Sequence, residues 1–186
     1  MKAGFRNFVS SLEDFILHFC ARRYLCGPNE RYHITDLSKG AMLVDRAGVA
    51  RVERYDRWYA LLLEELKLIS RPDVGIVAVG SMVAEHLERR GFGTAFTRVL
   101  HYSGQAAAAR KTGILGREPE YEAFRDSVSL EDVLRDAEAV LLAAGLPPDY
   151  RAATLTRLAK SNLSESRRQL IFNYKMAFES IRHAHG

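Results

Sequence analysis

The sequence predicts an α/β protein: a three-layer α/β/α arrangement with a small, mainly parallel sheet and a C-terminal helical extension. Two observations predict the sheet. Residues 74–79 form a continuous apolar run, typical of a strand with both faces buried, and a helix-length segment separates them from a strand-like run at 96–102. Because a strand–helix–strand order favours parallel pairing, we predict two parallel neighbours, the first of them a central strand. From about residue 105 onward the pattern is helical.

The N-terminal half is predicted to carry two longer helices and one more strand. Apolar side chains recur at three- and four-residue steps over 5–22 and again over 53–69, which predicts an amphipathic helix in each segment. Residues 31–37 alternate weakly and contain β-branched and aromatic side chains, so we predict a short strand there. Ser81 is the expected N-cap of a short helix over 82–90.

Helix-start and helix-stop residues divide the C-terminal part into helices. Ser129 is expected to cap a helix that ends at Gly145, and Pro148 begins the next one. Asn162, with Glu165 three residues later, is typical of a capping box and predicts the start of the last helix.

We predict two units, a core over 1–116 and a helical extension over 117–186 that packs on it. Residues 117–149 carry nine acidic and three basic side chains, whereas 151–186 carry seven Lys or Arg and two Glu. Either helices of opposite charge pack side by side, or the last helix presents its basic side chains to an anion. The pattern favours the first interpretation, because runs of charge are usually solvated faces.

Composition limits the classes of function. Hydrophobic residues make up 47% of the chain, enough for a buried core, and no apolar run is long enough to span a bilayer. We therefore expect no membrane contact and a cytoplasmic protein, with its two cysteines reduced. Two cysteines are too few for a four-cysteine metal site, and we predict no metal and no cofactor. A net charge of +4 permits a nucleic-acid partner without requiring one.

Polar side chains follow each of the three predicted strands. Asp36 follows the first strand, Ser81 the second and His101 the third. Ligand sites in α/β sheets gather at the carboxyl ends of strands, so these residues predict a polar pocket. In the alternative interpretation, Asp36 and Ser81 only cap helices and His101 is an interior imidazole with satisfied hydrogen bonds.

Three segments, taken in order, resemble the uracil-DNA glycosylase superfamily. They are Ile-Thr-Asp-Leu-Ser-Lys at 34–39, Ile-Val-Ala-Val-Gly-Ser at 76–81 and Leu-His-Tyr-Ser-Gly at 100–104. In that family a strand ending in Thr-Asn and a lysine precedes a strand ending in Leu-Gly or Val-Gly, and then a strand ending in a His-Pro-Ser-like motif. The resemblance covers about residues 31–105.

The resemblance implies a role for each matching residue. His101 would donate a hydrogen bond to the base as it leaves with negative charge, and Ser103 would hold a DNA phosphate. Lys39 would contact backbone charge, while Asp36 and Ser81 would contact the base. Asp36 stands where the family has asparagine. An ionised carboxylate only accepts hydrogen bonds, so it suits a base that presents donors better than it suits uracil.

The family's first motif, which bears the water-activating residue, is not found. Only the turn 26–30 precedes the first predicted strand, and its Asn29 is the candidate for orienting a water molecule. The sequence thus predicts a protein that binds a nucleobase or DNA and excises a damaged or deaminated base by hydrolysis of the N-glycosidic bond. The alternative is a non-catalytic interaction module on the same scaffold, with the C-terminal helices as an interface for a protein partner or for self-association.

Overall fold

The computed structural model describes residues 9–39, 50–69, 71 and 74–185. These residues form a mixed, helix-rich fold with a small parallel sheet, compatible with the α/β class. A π-helical turn follows the first helix directly, and a 3₁₀ turn precedes the fourth. In chain order the elements are α1 (Leu12–Cys20), the π-helical turn (Ala21–Leu25), α2 (Arg51–Ile69), β1 (Ile76–Val79), α3 (Ser81–Arg89), β2 (Phe96–Val99), the 3₁₀ turn (Gly104–Ala106), α4 (Ala107–Thr112), α5 (Glu118–Phe124), α6 (Leu130–Ala143), α7 (Pro148–Ala159) and α8 (Glu165–His185).

The two strands pair in parallel, as the sequence predicts. Ile76 lies opposite Phe96 and Val79 opposite Val99, and α3 connects the strands. The prediction that the first strand is central and buried is wrong for the described residues, where the sheet has two strands and only Ala78 of β1 is fully buried. Residues of β1 line an open cleft, which leaves their apolar side chains only partly covered.

The predicted strand at 31–37 is wrong. Within the described chain, residues 31–36 have no regular secondary structure and join no sheet. Side-chain bonds hold this segment instead: Thr35 Oγ1 donates to Glu65 Oε2 on α2 at 3.0 Å, and His33 Nε2 lies 2.9 Å from Glu65 Oε1. Alternating and β-branched residues occur both in strands and in irregular segments that side-chain hydrogen bonds hold in place. The sequence pattern therefore does not distinguish the two.

The first helix begins later than its periodicity predicts. Residues 5–8 lie outside the described residues, and α1 starts at Leu12 because Ser11 and Asp14 form a capping box: the Ser11 side chain accepts from the Asp14 N–H at 3.1 Å, and Asp14 Oδ2 accepts from the Ser11 N–H at 2.8 Å. The same motif confirms the predicted start of α6, where Ser129 is the N-cap.

Two predicted caps are wrong. Ser81 is the first residue of α3 rather than its N-cap, and Gly80 occupies the cap position without a side chain to bond. The last helix starts at Glu165, so this residue is too early in the helix to reach back to Asn162. Its carboxylate instead accepts the Tyr121 hydroxyl of α5 at 2.6 Å.

The main core forms around α8. The five residues predicted to face inward from this helix are buried, and they share one hydrophobic cluster with residues of α1, α6 and α7. The cluster therefore contains residues from both sides of the predicted boundary at 116/117. A second cluster joins α2, α3 and the sheet. No helix within the described ranges is long and apolar enough to cross a membrane. The five α8 residues are Leu170, Ile171, Tyr174, Phe178 and Ile181.

Candidate functional site

A broad cleft opens beside the carboxyl ends of β1 and β2. Five of the six residues predicted for the site line it. Its volume of about 2220 Å³ exceeds the roughly 300–1,000 Å³ typical of small-molecule pockets. The cavity as a whole is too large to define the candidate site. We therefore define the site by the polar side chains in its lining. The five residues are Asn29, Asp36, Ser81, His101 and Ser103.

Lys39, the sixth residue, is engaged elsewhere. Its ammonium forms an ion pair with Glu65 of α2 and also donates to Thr35 Oγ1. Partial burial acts to raise the pKa of Glu65, but hydrogen bonds from Lys39, His33 and Thr35 outweigh this effect and lower the pKa to about 2. Lys39 thus ties the segment before Asp36 to α2, and Glu65 offsets the positive charge that the resemblance assigns to a DNA contact.

His101 follows β2 and is exposed on the cleft. Its Nδ1 accepts a hydrogen bond from the Ser103 N–H at 3.0 Å, and its ring stacks on Tyr102 with centroids 4.6 Å apart. A backbone N–H only donates, so Nδ1 carries no proton and the neutral ring holds its proton on Nε2. Partial burial, with Arg51 and Arg110 nearby, lowers the pKa of His101 below its ordinary value. The imidazole is therefore a neutral hydrogen-bond donor.

Gly80 brings the ends of the two strands into close contact. Its N–H donates to the Val99 carbonyl at 2.8 Å, and its φ of +93° is a conformation that favours glycine. A Cβ at this position would lie 3.0 Å from Cδ2 and 3.1 Å from Cβ of His101. The glycine of the Val-Gly-Ser segment therefore leaves the space that the histidine side chain occupies.

Asp36 is half-buried and belongs to the cleft lining. Burial raises the pKa of its carboxyl, Lys39 acts against this shift, and Asp14 adds to it. The negative charge of Asp36 in turn contributes to the raised pKa values of Tyr55 and Tyr102, for which burial is the main cause. The carboxyl is thus a partly desolvated acceptor among aromatic side chains.

Two buried side chains hold the loop after β2, a role that the sequence predicted for neither of them. Arg110 of α4 is 3% exposed, and its Nη2 donates to the Tyr102 and Ser103 carbonyls at 2.6 and 2.9 Å. Tyr174 of α8 donates from its hydroxyl to the Leu100 carbonyl at 2.8 Å. One feature of the sequence sets Arg110 apart: it is a charged residue directly after a run of four alanines.

The cleft lining is more basic than acidic among the described residues. It includes six arginines and three carboxylate residues, one of which is Asp36. Asn29 belongs to the same lining, on an exposed turn closed by a bond from the Glu30 N–H to the Gly27 carbonyl at 3.2 Å. A lining of this charge fits an anionic partner. The arginines are Arg31, Arg51, Arg54, Arg71, Arg98 and Arg182.

No protein-family model, curated protein or solved structure matches the chain. In the described part of the chain, no group of three or more His, Cys, Asp or Glu side chains is arranged to hold a metal ion.

Proposed function

We propose that the cleft binds a nucleobase presented by DNA, and that the protein is a uracil-DNA-glycosylase-like hydrolase acting on a damaged or deaminated base. The observation that carries the proposal is the state of His101. It is a neutral imidazole at a strand end, with Nδ1 occupied by a backbone donor and Nε2–H left as the ring's donor. The proposal includes the family's three-layer core over 1–116, of which β1, α3 and β2 are part, and a cytoplasmic location.

The proposed reaction is hydrolysis of the N-glycosidic bond. A water oxygen bonds to the anomeric carbon as the bond to the base breaks, and the electron pair of that bond leaves with the base. The attacking water releases one proton to solvent, and the departed base anion takes up one proton from solvent. Nε2–H of His101 donates to a carbonyl oxygen of the base, where the negative charge develops. Asn29 is the residue that this proposal assigns to orienting the water. A neutral imidazole suits this role, because it still carries one N–H, on Nε2, that donates a hydrogen bond to this oxygen.

The neighbouring residues supply binding. Ser81 and Ser103 line the cleft near His101, and the arginines of the lining suit phosphate groups. Asp36 offers acceptor oxygens to the edge of the base, so a base that presents hydrogen-bond donors is favoured over uracil. Lys39 contributes by fixing the Thr35–Asp36 segment to Glu65.

The test uses oligonucleotides that carry uracil, hypoxanthine or xanthine, followed by detection of abasic sites. We expect release of at least one base. His101→Ala should slow release by about 100-fold or more, the usual effect of losing one preformed donor to a developing anion. Glu138→Ala, at an exposed position of α6 outside the cleft lining, is the control and should leave the rate unchanged. Asp36→Asn should shift preference toward uracil, because an amide supplies both a donor and an acceptor.

Two results would contradict the proposal. One is a wild-type protein that releases no base and shows no salt-sensitive binding to DNA, which leaves the non-catalytic interaction module as the function. The other is equal loss of activity in His101→Ala and Glu138→Ala, which would show that the strand-end histidine has no special part in the reaction.

A further inference from the structure

The guanidinium of Arg110 lies where it controls a single peptide group beside His101. Its Nη2 donates to the Tyr102 carbonyl at 2.6 Å, and this carbonyl belongs to the same planar peptide as the Ser103 N–H. That N–H donates to His101 Nδ1 at 3.0 Å. Because the peptide is rigid, fixing its oxygen also fixes the direction of its N–H.

We propose that Arg110 is a positioning residue for His101, holding the Tyr102–Ser103 peptide so that Nδ1 stays an acceptor and Nε2 keeps the ring proton. This inference rests on the proposed function for the role of His101, but the contacts that carry it belong to the protein alone. A second bond from Arg110 to the Ser103 carbonyl, at 2.9 Å, limits the loop further.

Arg110 is itself held against α8. Its Nη1 donates to Ser166 Oγ at 3.0 Å, and its backbone carbonyl accepts from Asn173 Nδ2 at 3.0 Å. The side chain of Asn173 occupies the space where a Cβ of Gly113 would lie, so a glycine at this position permits the contact. The guanidinium therefore connects the longest helix of the main core to the loop that carries His101.

Stability alone explains this buried charge poorly. Arg110 is almost fully buried, and its Nε has no hydrogen-bond partner among the described residues. Burying a charged group with an unsatisfied donor costs free energy that an apolar side chain would not cost. Arg110 is also one of the two cations that help to keep the pKa of His101 low, the other being Arg51. A neutral His101 and a fixed loop are what this arrangement provides.

The test reads the His101 ring directly by ¹⁵N nuclear magnetic resonance in the full chain without DNA. In the wild type we expect a scalar coupling across the hydrogen bond between Ser103 N and His101 Nδ1, together with a low ring pKa. In Arg110→Met the coupling should disappear and the pKa should rise. Arg110→Lys keeps the charge but lacks the planar donor fork, so it should weaken the coupling. Base release should fall by about 10- to 100-fold in Arg110→Met and less in Arg110→Lys.

Arg168→Met is the matched control. Arg168 also donates to two loop carbonyls, those of Arg125 and Val128, but in a different loop. We expect this variant to lose stability while the His101 signals stay as in the wild type. If Arg110→Met does not fold, Arg110→Lys carries the decision.

Unchanged coupling and ring pKa in the folded Arg110 variants would overturn the proposal, since Arg110 would then serve stability only. If the Arg110 variants lose the coupling while the wild type releases no base, the positioning contact is supported and the glycosylase function is rejected. The two proposals therefore fail by different measurements.

Discussion

At the scale of single residues, the candidate site depends on contacts among a few atoms at two strand ends. One backbone N–H keeps Nδ1 of His101 an acceptor, and the absence of a side chain on Gly80 leaves space for the ring. Ser81 and His101 were predictable as cleft residues, because polar side chains after strands of a parallel sheet meet at one edge. Asp36 also lines the cleft, but the strand that was predicted to precede it is not formed. Arg110 was not predictable, because its bonds to the loop depend on how α4 packs against α8.

Gly80→Ala tests the contact between the strand ends. With φ +93° and ψ 152°, the backbone is in a region essentially reserved for glycine, and the new Cβ would press on the His101 ring. We expect a loss of about 1–3 kcal/mol in the free energy of unfolding, measured by urea denaturation, and altered ¹H–¹⁵N signals of the ring.

Gly93→Ala is the control for Gly80→Ala, because a Cβ at Gly93 meets no atom within 4 Å and the glycine has no positive φ. Its stability and the His101 signals should stay close to those of the wild type. Equal behaviour of the two variants would show that the close approach at Gly80 does not constrain the histidine.

At the scale of elements, the helices were far more predictable than the strands. Apolar periodicity over many residues identified α2, α6 and α8, and local caps such as Ser129 set their ends. The prediction of a strand over 31–37 was wrong because side-chain bonds to Glu65, about 30 residues away along the chain, hold this segment. No local sequence pattern indicates such a partner. Short apolar runs also say nothing about how many strands a sheet contains.

Glu65→Gln tests the bonds that join α2 to the segment 31–39. The carboxylate accepts from His33, Thr35 and Lys39, and a neutral amide cannot replace it for the ammonium. We expect a loss of about 1 kcal/mol, less than is usual for hydrogen bonds to a charged group, because the carboxylate is partly exposed. Amide exchange around Asp36 should become faster.

The pH dependence of stability tests whether the charge on Glu65 causes the difference in stability between the wild type and Glu65→Gln. Its pKa in the folded protein is about 2, below the ordinary value of 4.5. The unfolded state then binds the proton more readily, so this contribution is fully present above pH 4.5 and is lost as the pH falls toward 2. Wild type and Glu65→Gln should therefore converge in stability in acid. The neighbouring Glu64→Gln, whose exposed carboxylate pairs with Lys67, should show no such convergence.

At the scale of the whole molecule, charge is used in two ways. On α8, Arg168 pairs with Asp126 of the acidic segment 117–149 at 3.7 Å, in agreement with the interpretation that oppositely charged segments pack together. Arg167 pairs instead with Glu13 of α1 at 2.8 Å. Other arginines line the cleft. The sequence indicated the uneven charge, but which arginines meet acids within the fold depends on tertiary packing.

Binding of DNA should therefore weaken as salt is added, and the cleft arginines should set the slope. Each phosphate contact contributes about 0.9 to the slope of log K against log salt for duplex DNA and about 0.7 for single strands. Arg31→Gln and Arg98→Gln, both exposed on the cleft lining, should each reduce the slope by about that amount. Arg135→Gln removes the same charge from α6, away from the cleft, and should leave the slope unchanged. Fluorescence anisotropy with a labelled oligonucleotide gives the slopes. The same reduction in all three variants would mean that net charge, and not the cleft, attracts the nucleic acid.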